Sequence, residues 1–124
     1  MLKTRLLGRT GFNVSELGFG AWAIGGSGYG EVAESDAFGC LQAYLEGGGN
    51  FIYSARAYNH SEAVLGAFLR QENLRDRVIL ATKCGKLGEA EIRAELEASL
   101  RALRCDSIDL YYLHHPPEEP GEMN

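Results

Sequence analysis

The chain has 124 residues, 45% of them hydrophobic and 10% aromatic, and a formal net charge of −5; this is enough apolar material for one domain with a real core. Its acidic excess is scattered and its 12 Lys and Arg form no basic run, so neither nucleic acid nor an anionic membrane is an expected partner. No segment nears the roughly 20 apolar residues of a membrane span, and Met1-Leu2-Lys3-Thr4-Arg5 lacks the apolar core of a secretion signal, which makes a cytoplasmic protein the expectation.

Leu6-Leu7 and Val14-Ser15 flank the turn cluster Gly8-Arg9-Thr10-Gly11, predicting a capping hairpin over residues 1–16. Glu16 to Trp22 is a strand candidate, and the glycine-dense loop Gly25-Gly26-Ser27-Gly28-Tyr29-Gly30 follows it, expected to be exposed and mobile. Ser35 is placed to N-cap a helix with Ala37, Leu41, Tyr44 and Leu45 at helical spacing, which Gly47-Gly48-Gly49 ends. Asn50-Phe51-Ile52-Tyr53 reads as a short buried strand, and Ser61-Glu62 opens a second helix with Val64, Leu65, Phe68 and Leu69 on one face.

Val78 to Thr82 is a continuous apolar run, as in a parallel strand covered on both faces. Glu89 to Leu103 predicts a third helix with an apolar stripe at Ile92, Leu96, Leu100 and Leu103, and Ile108 to Leu113 a fourth strand. Pro116-Pro117-Glu118-Glu119-Pro120 has the composition of a helix start, so residues 116–124 are expected to begin a fourth helix that is not completed. Residues 17–115 thus hold four strands and three helices in alternation. Repeated right-handed βα units build either an open doubly wound sheet or part of a (β/α)8 barrel, and periodicity leaves both open.

In both architectures, ligand-handling residues gather at the carboxyl ends of the strands. Three consecutive strand ends here lead to Tyr58, to Lys83 and to His114-His115. A phenol with an ordinary pKa of about 10 is too weak an acid at neutral pH, but a nearby ammonium favours the phenolate. An imidazole donating a hydrogen bond to a carbonyl oxygen orients the substrate and stabilises the charge that develops there. Taken singly, a tyrosine packs, a lysine snorkels and a histidine before proline sits in a loop; taken together they suggest carbonyl reduction, with hydride arriving from elsewhere.

Other motifs carry less. Gly18-Phe19-Gly20-Ala21-Trp22-Ala23 fits the G-x-G-x-x-A fingerprint, but Gly25-Gly26-Ser27-Gly28 follows where a helix would have to open. Cys40, Cys84 and Cys105 are odd in number without a CxxC pair, which fits reduced thiols. A metal site on Cys84, His114 and His115 has no ligand spacing behind it, so none is expected.

Several segments together resemble the aldo-keto reductases, bacterial members with short loops in particular. They are Leu6-Leu7-Gly8-Arg9-Thr10-Gly11, Val14 to Trp22, Asn50-Phe51-Ile52, Tyr58 with His60-Ser61-Glu62 and Leu65-Gly66, Ala81-Thr82-Lys83, and Ile108 to His114. The resemblance implies the N-terminal half of a (β/α)8 TIM barrel and NADPH-linked interconversion of small carbonyl compounds and alcohols. It implies Tyr58 as proton donor, Lys83 as the cation beside it and His114 as the group orienting the carbonyl. Trp22 would line the substrate pocket, while Gly20, Ala21 and Tyr53 would lie on the cofactor side.

One member of the family's tetrad does not carry over. The family places Asp directly after Phe-Ile, and this sequence has Tyr53 there; a phenol does not replace that charge at neutral pH, which predicts weakened or absent catalysis. A complete barrel takes about 250 residues, so most of the cofactor site is expected to lie outside this chain. An open four-stranded arc would also expose edges and an apolar face, predicting a homo-oligomer or a complementary half-barrel. The alternative is a catalytically silent half-barrel that serves structure or self-association.

Overall fold

A computed structural model describes residues 1–118. Strands β1 (Thr4–Leu6) and β2 (Asn13–Ser15) pair antiparallel as the predicted hairpin. The chain continues through β3 (Phe19–Gly20), a 3-10 turn at Ala23–Gly25, α1 (Glu34–Glu46), β4 (Phe51–Tyr53) and α2 (Ser61–Leu69). A second 3-10 stretch at Gln71–Arg77 leads into β5 (Ile79–Cys84), α3 (Glu89–Leu103) and β6 (Leu110–Leu113). No helix among the described residues is long and apolar enough to cross a membrane.

Strands β3, β4, β5 and β6 stand side by side in that order, and all three pairings are parallel. A doubly wound sheet reverses its strand order at a switch point. Here the order never reverses, and a helix lies in each crossover, which is the winding of four consecutive strands of a (β/α)8 barrel. Tyr53 pairs with Ala81, and Lys83 with Tyr112, so the carboxyl ends of the strands share one edge.

The sheet alternates in the way a two-faced layer must. Ile52, Leu80 and Thr82 are fully buried and face the helices, where Leu41, Leu65, Phe68, Leu69 and Leu103 complete the core. Phe51, Tyr53, Lys83 and Tyr112 face the other side and line an open cleft. At the amino ends of the strands the hairpin is clamped down. The Ser15 N–H donates to Asn50 Oδ1 at 2.7 Å, and the Tyr44 hydroxyl accepts from the Phe51 N–H at 3.1 Å while standing 2.8 Å from the Leu17 carbonyl oxygen.

Several local expectations need correction. Only two residues of the segment Glu16 to Trp22 pair as strand, because Trp22 already has helical backbone and turns the chain into the 3-10 segment. Helix α1 begins at Glu34 with Ala33 as its cap residue and no side-chain cap bond, so Ser35 lies inside the first turn; Glu34 and Asp36 face the positive helix end instead. Ile92, Leu96 and Leu100 are half-exposed, since α3 is rotated to bury Ser99 and Leu103. Pro116, Pro117 and Glu118 are not helical, and the remainder of the expected fourth helix lies outside the described residues.

Helices α2 and α3 meet at Gly66, where an added Cβ would run into the Ala102 carbonyl oxygen and the Leu103 backbone. Backbone atoms cannot step aside as a side chain can. Gly66→Ala is therefore expected to lower stability by about 1–3 kcal/mol despite the better helix propensity of alanine, as read from the midpoint of urea unfolding; an unchanged or raised midpoint would show that the helices separate at no cost.

Candidate active site

The three strand-end residues converge. Lys83, near the end of β5, sends its Nζ to the Tyr58 hydroxyl oxygen at 3.0 Å and to the Ser54 carbonyl oxygen at 2.9 Å. The Tyr58 and His114 rings meet edge to face at 5.6 Å between centroids. The His114 N–H donates to the Cys84 carbonyl oxygen at 2.7 Å, which fixes the chain just beyond β6 against the end of β5. Lys83 and His114 line a cleft of about 400 Å³ together with Phe51, Tyr53, Tyr112 and Leu113, which is within the usual volume range of small-molecule sites.

Behind this cleft lies a network that the sequence reading did not single out. The Glu62 carboxylate is buried. Its Oε1 accepts from Thr82 Oγ1 at 2.7 Å and from Ser99 Oγ at 2.8 Å, and its Oε2 accepts from the Arg56 guanidinium at 2.6 Å. The Arg56 N–H in turn donates to the Lys83 carbonyl oxygen at 3.1 Å. A readable signal existed: Glu62 stands one helical turn before Leu65 and Gly66, and Ser99 one turn before Leu103, so each is a polar residue on an apolar face. Such residues are kept where they find partners.

The cofactor side is arranged differently from the expectation. The Tyr53 ring lies across Gly20, so a Cβ on Gly20 would stand 2.6 Å from the Tyr53 hydroxyl oxygen. Ala21 is fully buried, its N–H donates to the Tyr53 carbonyl oxygen at 2.9 Å, and its carbonyl accepts from Ser61 Oγ at 2.8 Å. The open face of Gly20 is thus filled by the Tyr53 ring and both polar groups of Ala21 are taken, so neither residue presents a free backbone surface to a ligand. Trp22 also stands apart. It packs against Gly28 and Tyr29 in the glycine loop and is not among the side chains lining the cleft.

Tyr53 also leaves Lys83 without a carboxylate partner. The ion pairs among the described residues join Arg5 to Glu16, Arg56 to Glu62 and Glu95, Arg75 to Asp109, and Arg93 to Glu89. The ammonium instead stands 4.5 Å from the Tyr58 ring centroid and 5.2 Å from that of Tyr53. Cys84 is buried, and its sulfur accepts from the Lys86 N–H, which is the structural role and not that of a reactive thiol.

Burial first, then the charges of His115 and Lys83, hold the His114 imidazole below its ordinary value of 6.5. The folded chain therefore binds this proton less readily than the unfolded chain, so the stability that neutral His114 contributes is complete above the ordinary value and is lost as pH falls through the folded-state midpoint. In a histidine NMR titration, Lys83→Met is expected to move the His114 midpoint upward, since a like charge has gone. No movement would mean that the Lys83 charge does not reach the imidazole.

The model of the aldo/keto reductase family matches residues 16–120. Aldo-keto reductase YhdN of Bacillus subtilis is 37% identical over 119 residues, covering 86% of this chain and 36% of YhdN. The holo form of aldo-keto reductase AKR11C1 from Bacillus halodurans superposes with a TM-score of 0.85 at 33% identity, over 99% of this chain and 44% of that one. An aldo-keto reductase from Klebsiella pneumoniae, solved in complex with NADPH, superposes with a TM-score of 0.81 at 30% identity, over 99% of this chain and 43% of that one. The chain thus spans less than half the length of these relatives. With the family's pattern in its sequence and four consecutive strands of the family's barrel in its fold, this chain belongs to the aldo/keto reductase family.

Proposed function

We propose that this chain carries the carbonyl-polarising side of an NADPH-dependent reductase of aldehydes or ketones, and that its turnover is impaired by Tyr53. The observation that carries the reading is the contact of Lys83 Nζ with the Tyr58 hydroxyl at 3.0 Å beside the His114 ring. A carbonyl oxygen in the cleft would accept a hydrogen bond from Tyr58 and another from His114. As charge develops on that oxygen the Tyr58 proton moves to it, and the Lys83 ammonium stabilises the phenolate left behind. The hydride side has no seat on Gly20 and Ala21 as they stand. NADPH as reductant rests on family membership and on the Klebsiella pneumoniae relative solved with it.

A second reading, a catalytically silent half-barrel, is favoured by Tyr53 itself, which removes the carboxylate and covers Gly20. Both readings share an association proposal. Strands β3 and β6 each have one neighbour in the described sheet, and the exposed rings of Tyr53 and Tyr112 lie on its uncovered face. A second copy or a complementary half-barrel would cover these groups.

NADPH titration followed by fluorescence, with sedimentation velocity on the same sample, tests the proposal. Saturable binding by a species larger than a monomer is expected if association supplies a cofactor seat; a well-folded chain that binds nothing supports the silent reading. A clean monomer at micromolar concentration would refute the association. In a barrel completed with the C-terminal half of a relative, Tyr53→Asp is expected to raise kcat on the order of tenfold to a hundredfold, the scale of one positioned electrostatic contribution. An unchanged kcat would remove Tyr53 as the cause of impairment.

A further inference from the structure

We propose that Lys83 captures carbonyl compounds covalently, its Nζ condensing with a small apolar or aromatic aldehyde to form an imine. This uses the same cleft as the reductase reading but needs neither hydride nor nicotinamide, so it stands or falls separately.

The chain has three lysines, Lys3, Lys83 and Lys86. Lys3 and Lys86 are exposed, and Lys83 alone is half-buried and lines the cleft. A carboxylate beside an amine favours the ammonium and occupies its N–H groups. Here the two oxygens that Nζ meets are neutral, the Ser54 carbonyl and the Tyr58 hydroxyl, and an ammonium has three N–H directions, so one remains for a reaction partner. The rings of Tyr53 and Tyr58 do favour a cation at this position. A protonated imine is also a cation at the same nitrogen, so the aromatic faces do not oppose the product.

Solvent and Tyr58 supply the proton movements. A solvent base takes one proton from the Lys83 ammonium. The freed electron pair on Nζ attacks the carbonyl carbon, the C–N bond forms, and the carbonyl electron pair moves to oxygen, which takes the Tyr58 proton, Tyr58 Oη standing 3.0 Å from Nζ. Nitrogen returns a proton to the Tyr58 phenolate, giving a neutral carbinolamine. The hydroxyl then leaves as water with a proton returned by solvent, and the nitrogen pair closes the C=N bond. In sum, ammonium and carbonyl give protonated imine and water, with Tyr58 restored. Phe51, Tyr53 and Tyr112, which line the cleft with Lys83, select an apolar or aromatic body behind the aldehyde.

The test is reductive trapping. The folded chain is incubated with benzaldehyde and sodium cyanoborohydride, which delivers hydride to the imine carbon and leaves a stable benzylamine, and the rate at each lysine is read by peptide mass spectrometry. Lys83 is expected to be benzylated at least about tenfold faster than Lys3 or Lys86, as expected of an amine that stands beside a positioned proton donor. The preference should vanish in urea, and Tyr58→Phe should slow Lys83 alone. Equal rates at the three lysines of the folded chain, or a Lys83 preference that persists in urea, would overturn the proposal. NADPH binding with no preference at Lys83 would leave the reductase reading standing, and trapping at Lys83 without NADPH binding would leave this one.

Discussion

The arrangement of the cleft depends on one buried carboxylate. An isolated charge inside a fold costs several kcal/mol, and removing the partner of a buried pair typically costs about 3–5 kcal/mol, so the buried Glu62 carboxylate needs its donors in place. Those donors come from three places: Arg56 in the loop after β4, Thr82 on β5 and Ser99 on α3. Satisfying Glu62 therefore fixes the loop that carries Tyr58 relative to the strand that carries Lys83. The hydrogen bond to Glu62, first among the causes, holds the Arg56 guanidinium above its ordinary value despite its partial burial.

The same logic sets the next strand. The Asp109 carboxylate accepts from the Leu80 N–H at 2.8 Å and pairs with Arg75 at 2.9 Å, while the Asp109 N–H returns a bond to the Leu80 carbonyl. A side chain thus takes the place of a missing ladder bond where β6 approaches β5, and this fixes the register that sets Lys83 opposite Tyr112. His114 follows two residues later at the height of Cys84. On the helix side, burial, ahead of the neighbouring Cys84, raises the Tyr111 hydroxyl above its usual range, so it remains a neutral phenol. Alternate residues of one short strand thus serve opposite tasks, Tyr111 in the packing and Tyr112 in the cleft.

Much of this was legible because period and chemistry agreed. Helix α3 spans the segment read for it, Glu89 to Leu103, since helix formers, acidic residues in the first turn and a periodic apolar stripe all point one way. The place of Lys83 at a strand end was legible, and the geometry brings it to Tyr58. The face of α3 was not legible, because apolar spacing cannot reveal that Ser99 is drawn inward by a carboxylate on another helix. Nor was the covering of Gly20, which depends on where the Tyr53 ring lies as well as on what residue 53 is. The kink at Glu72 and Asn73, both in left-handed backbone, was likewise invisible, as neither residue is glycine.

Tyr53 divides the site into two halves with different fates. On the Lys83 side, the ammonium meets one aromatic face, that of Tyr53, where the family has a carboxylate, a contact worth about 0.5–2 kcal/mol depending on desolvation. That suffices to keep Lys83 against Tyr58, because the Ser54 carbonyl also holds it. On the opposite side, the same ring extends across the end of β3 and fills the space that Gly20 leaves open. An aspartate is too short to reach that far and would instead direct its charge at Lys83. The Tyr53 ring thus leaves the contact between Lys83 and Tyr58 in place while it closes the backbone surface of Gly20 beside it, so the two sides of the cleft answer to one side chain in opposite ways.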